Sequence, residues 1–306
     1  MSGAYSPTGE QFEIAHGDQN AVVTEVGATL RSFSVAGVEL LDTFAEDEMS
    51  DVCRGQVLLP FPNRVEGGLY TFEGAEQQLP INEPSTGSAL HGLTRWLGWM
   101  PLRRTASSVT LRQRLHPQDG YPFVLDLQTE YALSDLGLTV AMTATNVGDR
   151  ALPFGAGYHP YLTVGTPAID AATLKLPAST HLETDDRLIP TGRASVEGTD
   201  FDFREGRPIG AVKLDTCFTD VILDADGIAR AILAHPDGGP EITVSMDASH
   251  GFIQVFTGDT LAEEDRRRGI AIEPMTCAPN AFNSGDGLRV LAPGESFTSI
   301  WSMACG

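Results

Sequence analysis

Lysine is almost missing from this chain of 306 residues: only Lys175 and Lys213 occur, every other basic residue being arginine. Positive charge of any kind is scarce, with 20 Lys and Arg against 41 Asp and Glu and a formal net charge of -21. Nucleic-acid phosphates and anionic membranes repel such a chain unless its cations cluster, and the longest basic run is Arg266-Arg267-Arg268. Neither nucleic acid nor membrane is therefore expected as a partner. Cysteine is also sparse. Cys53, Cys217, Cys277 and Cys305 are widely scattered with no C-x-x-C, which argues against a zinc knot or a disulfide framework and for reduced thiols. No run reaches the roughly 18 apolar residues of a membrane span. The opening segment lacks a charged stretch followed by an apolar one, so a cytoplasmic location is expected.

Helical periodicity is a further absence: no long window carries apolar residues at i, i+3, i+4 and i+7. Alternation with a period of two takes its place. Val109, Leu111 and Leu115 share one parity, as do Phe123, Leu125, Leu127, Thr129 and Tyr131. The same holds for Leu136, Leu138, Val140, Met142 and Ala144, and for Ile242, Val244 and Met246. Each run is bounded by turn residues, and the chain carries 32 Gly and 19 Pro. The pattern predicts many short half-buried strands: an all-β, large antiparallel β-sandwich with few short helices. No linker-like tract divides it, so a single domain over residues 1–306 is expected. The acidic-basic stretch 262–269 reads as a solvated loop between strands.

Seven histidines occur. His16, His116, His181, His235 and His250 sit among turn residues and are expected to be incidental. His159 lies in FGAGYHPYL, where Pro160 holds it extended and Gly155 and Gly157 let other groups approach the backbone. Glu273 ends the apolar run GIAIEP, with Ile270 and Ile272 facing one way and Ala271 and Glu273 the other. Its plainer reading is a strand-end glutamate reaching water, but it too precedes a proline. Gln254 shares parity with Phe252 and Phe256, a mixture of amide and aromatic rings that suits a polyhydroxylated ligand. Asn63-Arg64 places an amide and a rigid five-donor fork in a turn. His91 lies in ALHGLTRWLGW, and Asp215 in KLDTCF offers only acceptors. Turn-forming, salt-bridging or core roles remain open for each of these taken alone.

As an ordered set, Asn63-Arg64, His91-Gly92 with Trp96 and Trp99, His159-Pro160-Tyr161, Asp215, Gln254 and Glu273-Pro274 resembles the aldose 1-epimerase (mutarotase) family, including the galactose mutarotases. The resemblance runs from about residue 12 to 303 and implies a β-supersandwich. It further implies that His159 is the general acid, that Glu273 is the general base, and that Asn63, Arg64, His91, Asp215 and Gln254 bind sugar hydroxyls. His91-Gly92-Leu93-Thr94-Arg95, Tyr161-Leu162-Thr163 and Pro274-Met275 depart from the best-known galactose mutarotases, which puts a galactose preference in doubt.

Exchanging α and β anomers needs a base on the C1 hydroxyl and an acid on the ring oxygen. Two positioned proton transfers suffice for that, so no metal and no cofactor is expected. Glu273 is expected ionised, and His159 serves as acid if a neighbouring negative charge raises its pKa. The expected partner is a small-molecule sugar, a free aldose, acted on by a monomer or homodimer. Alternatives are a hexose-6-phosphate 1-epimerase, using Arg54, Arg64 and Arg95 for the phosphate, and a non-catalytic carbohydrate-binding protein on the same scaffold. A metal-dependent cupin-like enzyme would want paired histidines, and those here are isolated.

Overall fold

Strands that bury alternate residues need a partner layer, and two large antiparallel sheets supply it. The computed structural model describes residues 6–306; the first five residues of the opening segment, read above as lacking a targeting signal, lie outside them. The larger sheet has nine strands. It runs from Met100–Arg104 through Ser108–Leu115, Leu125–Ser134, Gly137–Asn146, Ser296–Cys305, Glu241–Met246, Ala229–Ala234 and Thr173–Lys175 to Arg207–Pro208. The other runs from Pro190–Ser195 through Ala178–Thr184, Asp215–Val221, Phe252–Phe256, Ile270–Met275 and Gly157–Tyr158 to Val57–Leu58, with Tyr161–Leu162 also pairing to Ile270–Met275.

The expected alternation is visible residue by residue. In Leu125–Ser134 the positions Leu125, Leu127, Thr129, Tyr131 and Leu133 are buried and those between them are not. Leu136 is the exception: it is 85% exposed in the turn before Gly137–Asn146, because a tight reversal leaves no room to bury its side chain. One apolar core joins the sheets, with Val140, Met142 and Trp301 of the first meeting Ile253, Val255 and Ile272 of the second. Tyr158 bridges the layers, its ring 5.4 Å from that of Trp301 and its hydroxyl 3.2 Å from Ser299 Oγ. Among the described residues helix is confined to Ala281–Ser284 and the 3-10 turn Ile169–Ala171. No helix there is long and apolar enough to cross a membrane.

The stretch 262–269 is more than a solvated loop. Arg267 is half-buried and donates to Gly210 O at 2.6 Å, to Val212 O and to the carboxylates of Asp170 and Asp259, while Arg268 reaches Asp42. An arginine fork with several fixed acceptors pins a loop that charge alone would leave in water.

The glycines before His159 serve close packing. A Cβ on Gly157 would stand 2.6 Å from Pro62 Cβ and 3.3 Å from Met275 Cγ. Gly157→Ala is therefore expected to cost roughly 1–3 kcal/mol through overpacking, read as a lower denaturant midpoint at unchanged slope; an unchanged midpoint would show that the segment 155–162 yields freely.

Candidate functional site

Register places the key side chains. Phe252–Phe256 pairs with Ile270–Met275 so that Gln254 lies opposite Glu273. On the other side of Ile270–Met275, Gly157 pairs with Met275 and Tyr161 with Ala271, which sets His159 across from Glu273 as well. Gln254, Glu273 and His159 thus form one cross-strand row, on the sheet face opposite the core-facing Ile253, Val255 and Ile272. Asp215 sits in the adjacent row, paired with Phe256. Cross-strand neighbours are close enough for direct contact: His159 Nε2 is 3.4 Å from Glu273 Oε1, and Gln254 Nε2 donates to Asp215 Oδ1 at 2.7 Å.

A second group reaches this face from a two-stranded ribbon, Arg64–Glu66 with Ser88–Leu90. Just outside the pairing, Asn63 and His91 both take positive φ, 53° and 59°, and hold one another. The His91 amide donates to Asn63 O at 2.9 Å, and the Asn63 amide donates to His91 Nδ1 at 3.1 Å. A neutral His91 that accepts at Nδ1 carries its proton on Nε2. Positive φ at non-glycine residues beside a pocket is a common mark of a functional site.

All seven residues singled out in the sequence, Asn63, Arg64, His91, His159, Asp215, Gln254 and Glu273, line one cavity of about 200 Å³. That is smaller than the roughly 300–1,000 Å³ of sites for drug-sized ligands. Phe256 also lines it, whereas Phe252 turns to a small apolar cluster with Leu182, Cys217 and Met275. Trp99 is buried outside the cavity and Trp96 is exposed. Sequence reasoning missed Val52, Cys53, Glu83, Leu90, Thr260 and Leu261, which also line the cavity. It also left out Tyr161, although the tyrosine stands two residues from His159: its ring stacks on that imidazole at 5.0 Å, with the Arg54 guanidinium 5.3 Å from its centroid. Glu83 carried no signal, since a lone glutamate in INEPST reads as surface. His250 was expected to be incidental in a turn; it is buried, with Nδ1 3.0 Å from Asp247 Oδ1, but lies outside the cavity. A larger groove of about 460 Å³ over Met100, Leu102, Arg112 and His116 is an exposed surface without a buried titratable side chain.

The three arginines considered for a phosphate are differently placed. Arg64 lines the cavity, but its Nε and Nη2 donate to the two Glu83 carboxylate oxygens at 2.7 and 2.8 Å. Arg54 is buried against Asp42, at 3.0 Å, and Asp51. Arg95 donates through Nη1 to Cys53 Sγ at 2.9 Å.

Burial dominates the electrostatics of the pair. It pushes Glu273 well above the usual carboxylate range, helped by the nearby Asp215 and opposed by Arg64. It pushes His159 down to about 3, with the charges of Arg95 and Arg54 adding to it. This reverses the expectation of an ionised Glu273 beside a His159 with raised pKa: desolvation of two groups this deep outweighs their mutual attraction, and the proton rests on the carboxyl. Burial likewise raises Asp215, against Arg64 and Gln254. His159 Nδ1 and Glu273 Oε2 are buried without a hydrogen-bond partner among the described residues. Among those residues no group of three or more His, Cys, Asp or Glu is arranged to hold a metal ion.

The aldose 1-epimerase family model matches residues 10–304. The uncharacterized protein YihR of Escherichia coli (strain K12) is 37% identical over 289 residues, covering 94% of this chain and 91% of its own. The galactose mutarotase of Rattus norvegicus is 30% identical over 219 residues, covering 66% and 62%. Among solved structures, a GalM/aldose epimerase homologue from C. elegans superposes with a TM-score of 0.85 at 22% identity, over 96% of this chain and 98% of that one. Galactose 1-epimerase from Lactobacillus acidophilus NCFM gives 0.79 at 22% identity, over 97% and 94%. At these identities the structures speak to fold alone.

The depressed histidine gives a direct check. A group whose folded pKa lies far below the ordinary value stays neutral well below it, so the His159 ring is expected to remain neutral at pH 5. Imidazole ¹⁵N shifts would measure this, and a ring already protonated at pH 6 would refute the burial argument.

Proposed function

The chain belongs to the aldose 1-epimerase family, and from that premise we propose that it interconverts the α and β anomers of a free aldohexose, with His159 and Glu273 moving the protons. As a family member it is an isomerase of the mutarotase type acting on a sugar; the choice of a free hexose and the residue roles are the proposal. The observation that carries it is the buried His159–Glu273 contact of 3.4 Å, set among hydrogen-bonding side chains in a cavity of small-molecule size.

Opening the hemiacetal takes a proton from the C1 hydroxyl and delivers one to the ring oxygen. These two oxygens share C1, so an acid and a base must stand side by side. Adjacent strands supply such a pair. Glu273 acts as base and His159 as acid. That order requires the shared proton to pass from the carboxyl to the imidazole across their contact as the sugar settles. Arg64, whose charge already favours the Glu273 carboxylate, and sugar hydroxyls that hydrogen-bond the charged form assist this. Rotation about C1–C2 turns the other carbonyl face inward, and reclosure runs both transfers backward. Asp215, held by Gln254, accepts from sugar hydroxyls, while Arg64 and Nε2 of His91 donate to them, and Asn63 fixes His91 from below.

An uncharged substrate suits this pocket better than a phosphorylated one. Arg64 is the only one of the three candidate arginines on the cavity wall, and its fork is engaged by Glu83. A dianion would also face Asp215.

Polarimetry of freshly dissolved α-anomers tests the reading, with glucose 6-phosphate beside glucose and galactose. Equilibration no faster than in buffer across a broad panel of free aldoses would sink it. Glu273→Gln and His159→Asn are each expected to lower kcat about 10²–10⁴-fold, and wild-type rates in either would remove that residue from its role. The acid limb of kcat/KM is expected well below pH 6.5, because activity needs one proton on the pair and the second binds only as pH approaches the depressed His159 pKa. A limb centred at 6.5 or above would contradict it.

A further inference from the structure

We propose that Glu83 is a positioning residue, which holds the Arg64 guanidinium at a fixed angle on the cavity wall and offsets its charge there. The geometry is a two-point fork: Nε and Nη2 of Arg64 donate to Oε2 and Oε1 of Glu83 at 2.7 and 2.8 Å. A fork fixes the plane of the guanidinium as well as its place, and it leaves the remaining N–H groups of Arg64 for a ligand.

Glu83 is itself held. Thr86 donates its hydroxyl to the same carboxylate, and the Glu83 backbone exchanges hydrogen bonds with Ser88 at 3.1 and 3.2 Å. Asn82 ties the same loop to Leu90, accepting its amide at 2.6 Å and donating to its carbonyl at 2.9 Å. The loop 82–87 thus fastens Glu83 against Ser88, the first residue of the ribbon strand Ser88–Leu90, whose partner strand begins with Arg64. Arg64 and Glu83 both line the cavity, and no other salt bridge to Arg64 is found among the described residues.

The charge balance follows from the groups that face the pair: Asp215, Glu273, His91 and Cys53. Arg64 draws the Asp215 and Glu273 carboxyls down and Glu83 pushes Asp215 up. Arg64 also pushes His91 down, and Glu83 pushes the Cys53 thiol up. Without Glu83 the uncompensated guanidinium would let the Asp215 titration fall to lower pH and would swing out of plane.

The proposal rests on the cavity being the sugar site, so its test includes a measurement made without sugar. Glu83→Gln keeps the size of the side chain but loses its charge and turns an amide N–H₂ toward one guanidinium nitrogen. It is expected to raise KM for a free aldose about tenfold with kcat within about twofold, the mark of an arginine that binds ground and transition states alike. The ¹³C titration of the Asp215 carboxyl should move to lower pH, because the Glu83 charge that pushes it up is gone. In an Arg64→Gln background the same substitution should change KM less than about twofold, since Glu83 acts through Arg64. Wild-type KM together with an unmoved carboxyl titration would overturn the proposal, and so would an undiminished effect in that background. Should Glu83→Gln fail to fold, Thr86→Val, which removes one of the donors holding the carboxylate, is expected to shift KM in the same direction by less, and no shift would count against it. A wild-type protein that does not mutarotate free aldoses would end the reading of the reaction, while the carboxyl titration would still decide the part played by Glu83.

Discussion

A carboxyl and an imidazole buried side by side on one sheet face are the constraint around which the rest of this molecule is arranged. Placing two opposite charges there costs more in lost hydration than their attraction returns unless further hydrogen bonds satisfy them. His159 Nδ1 and Glu273 Oε2 have no such bonds within the described chain, so burial raises the carboxyl and lowers the imidazole, which favours a neutral acid beside a neutral base. In the proposed reaction a ligand that brings hydroxyls to the pair stabilises the charged arrangement, and binding then moves the proton. The catalytic demand and the structural cost have one origin, the depth of the row formed by Gln254, Glu273 and His159.

Holding that row in place explains features that look unrelated along the chain. Gly155 and Gly157 allow the backbone before His159 to pass against Cys277 and Pro62. Tyr161 covers one face of the imidazole, and Arg54 packs over Tyr161 while anchored by Asp42. Asp42 also binds Arg268, from the same loop in which Arg267 is pinned by Asp170, Asp259 and two carbonyls. The loop that brings Thr260 and Leu261 to the cavity is therefore tied down just after them. Ion pairs at exposed positions contribute little on their own; here the half-buried ones act by fixing backbone that has no sheet to hold it.

What could be read from the sequence was whatever repeats or whatever chemistry makes rare. Strands with strict alternation, such as Leu125–Ser134 and Gly137–Asn146, were legible because a period of two is a direct image of one buried face. His159 and Glu273 stood out because prolines follow both, and the ordered residue set carried the family. Short strands such as Val57–Leu58 and Gly157–Tyr158 were not legible, since two residues show no period; Gly157–Tyr158 pairs because Ile270–Met275 offers an edge, and Val57–Leu58 because Gly157–Tyr158 then offers the next one. Glu83 could not be found for a different reason: its role lies in a partner 19 positions away, and nothing local in INEPST reports that. The protonation of the site was misjudged because the sequence shows which charges are near but not how far water is excluded from them.

The surplus of negative charge acquires a different meaning once the arginines are located. Arg54, Arg64, Arg267 and Arg268 each meet at least one carboxylate, so the charge of these four is already engaged, and the excess of acids lies mainly at the surface. An uncharged sugar gains and loses little in such a field. Its recognition depends on short-range hydrogen bonds, and these require donors and acceptors whose directions are fixed beforehand. Arg64 bonded to Glu83, Asp215 to Gln254 and His91 to Asn63 are three instances of one arrangement: a second residue sets the orientation of the first, which under the proposed function puts the order needed to bind a small polyol in the fold beforehand.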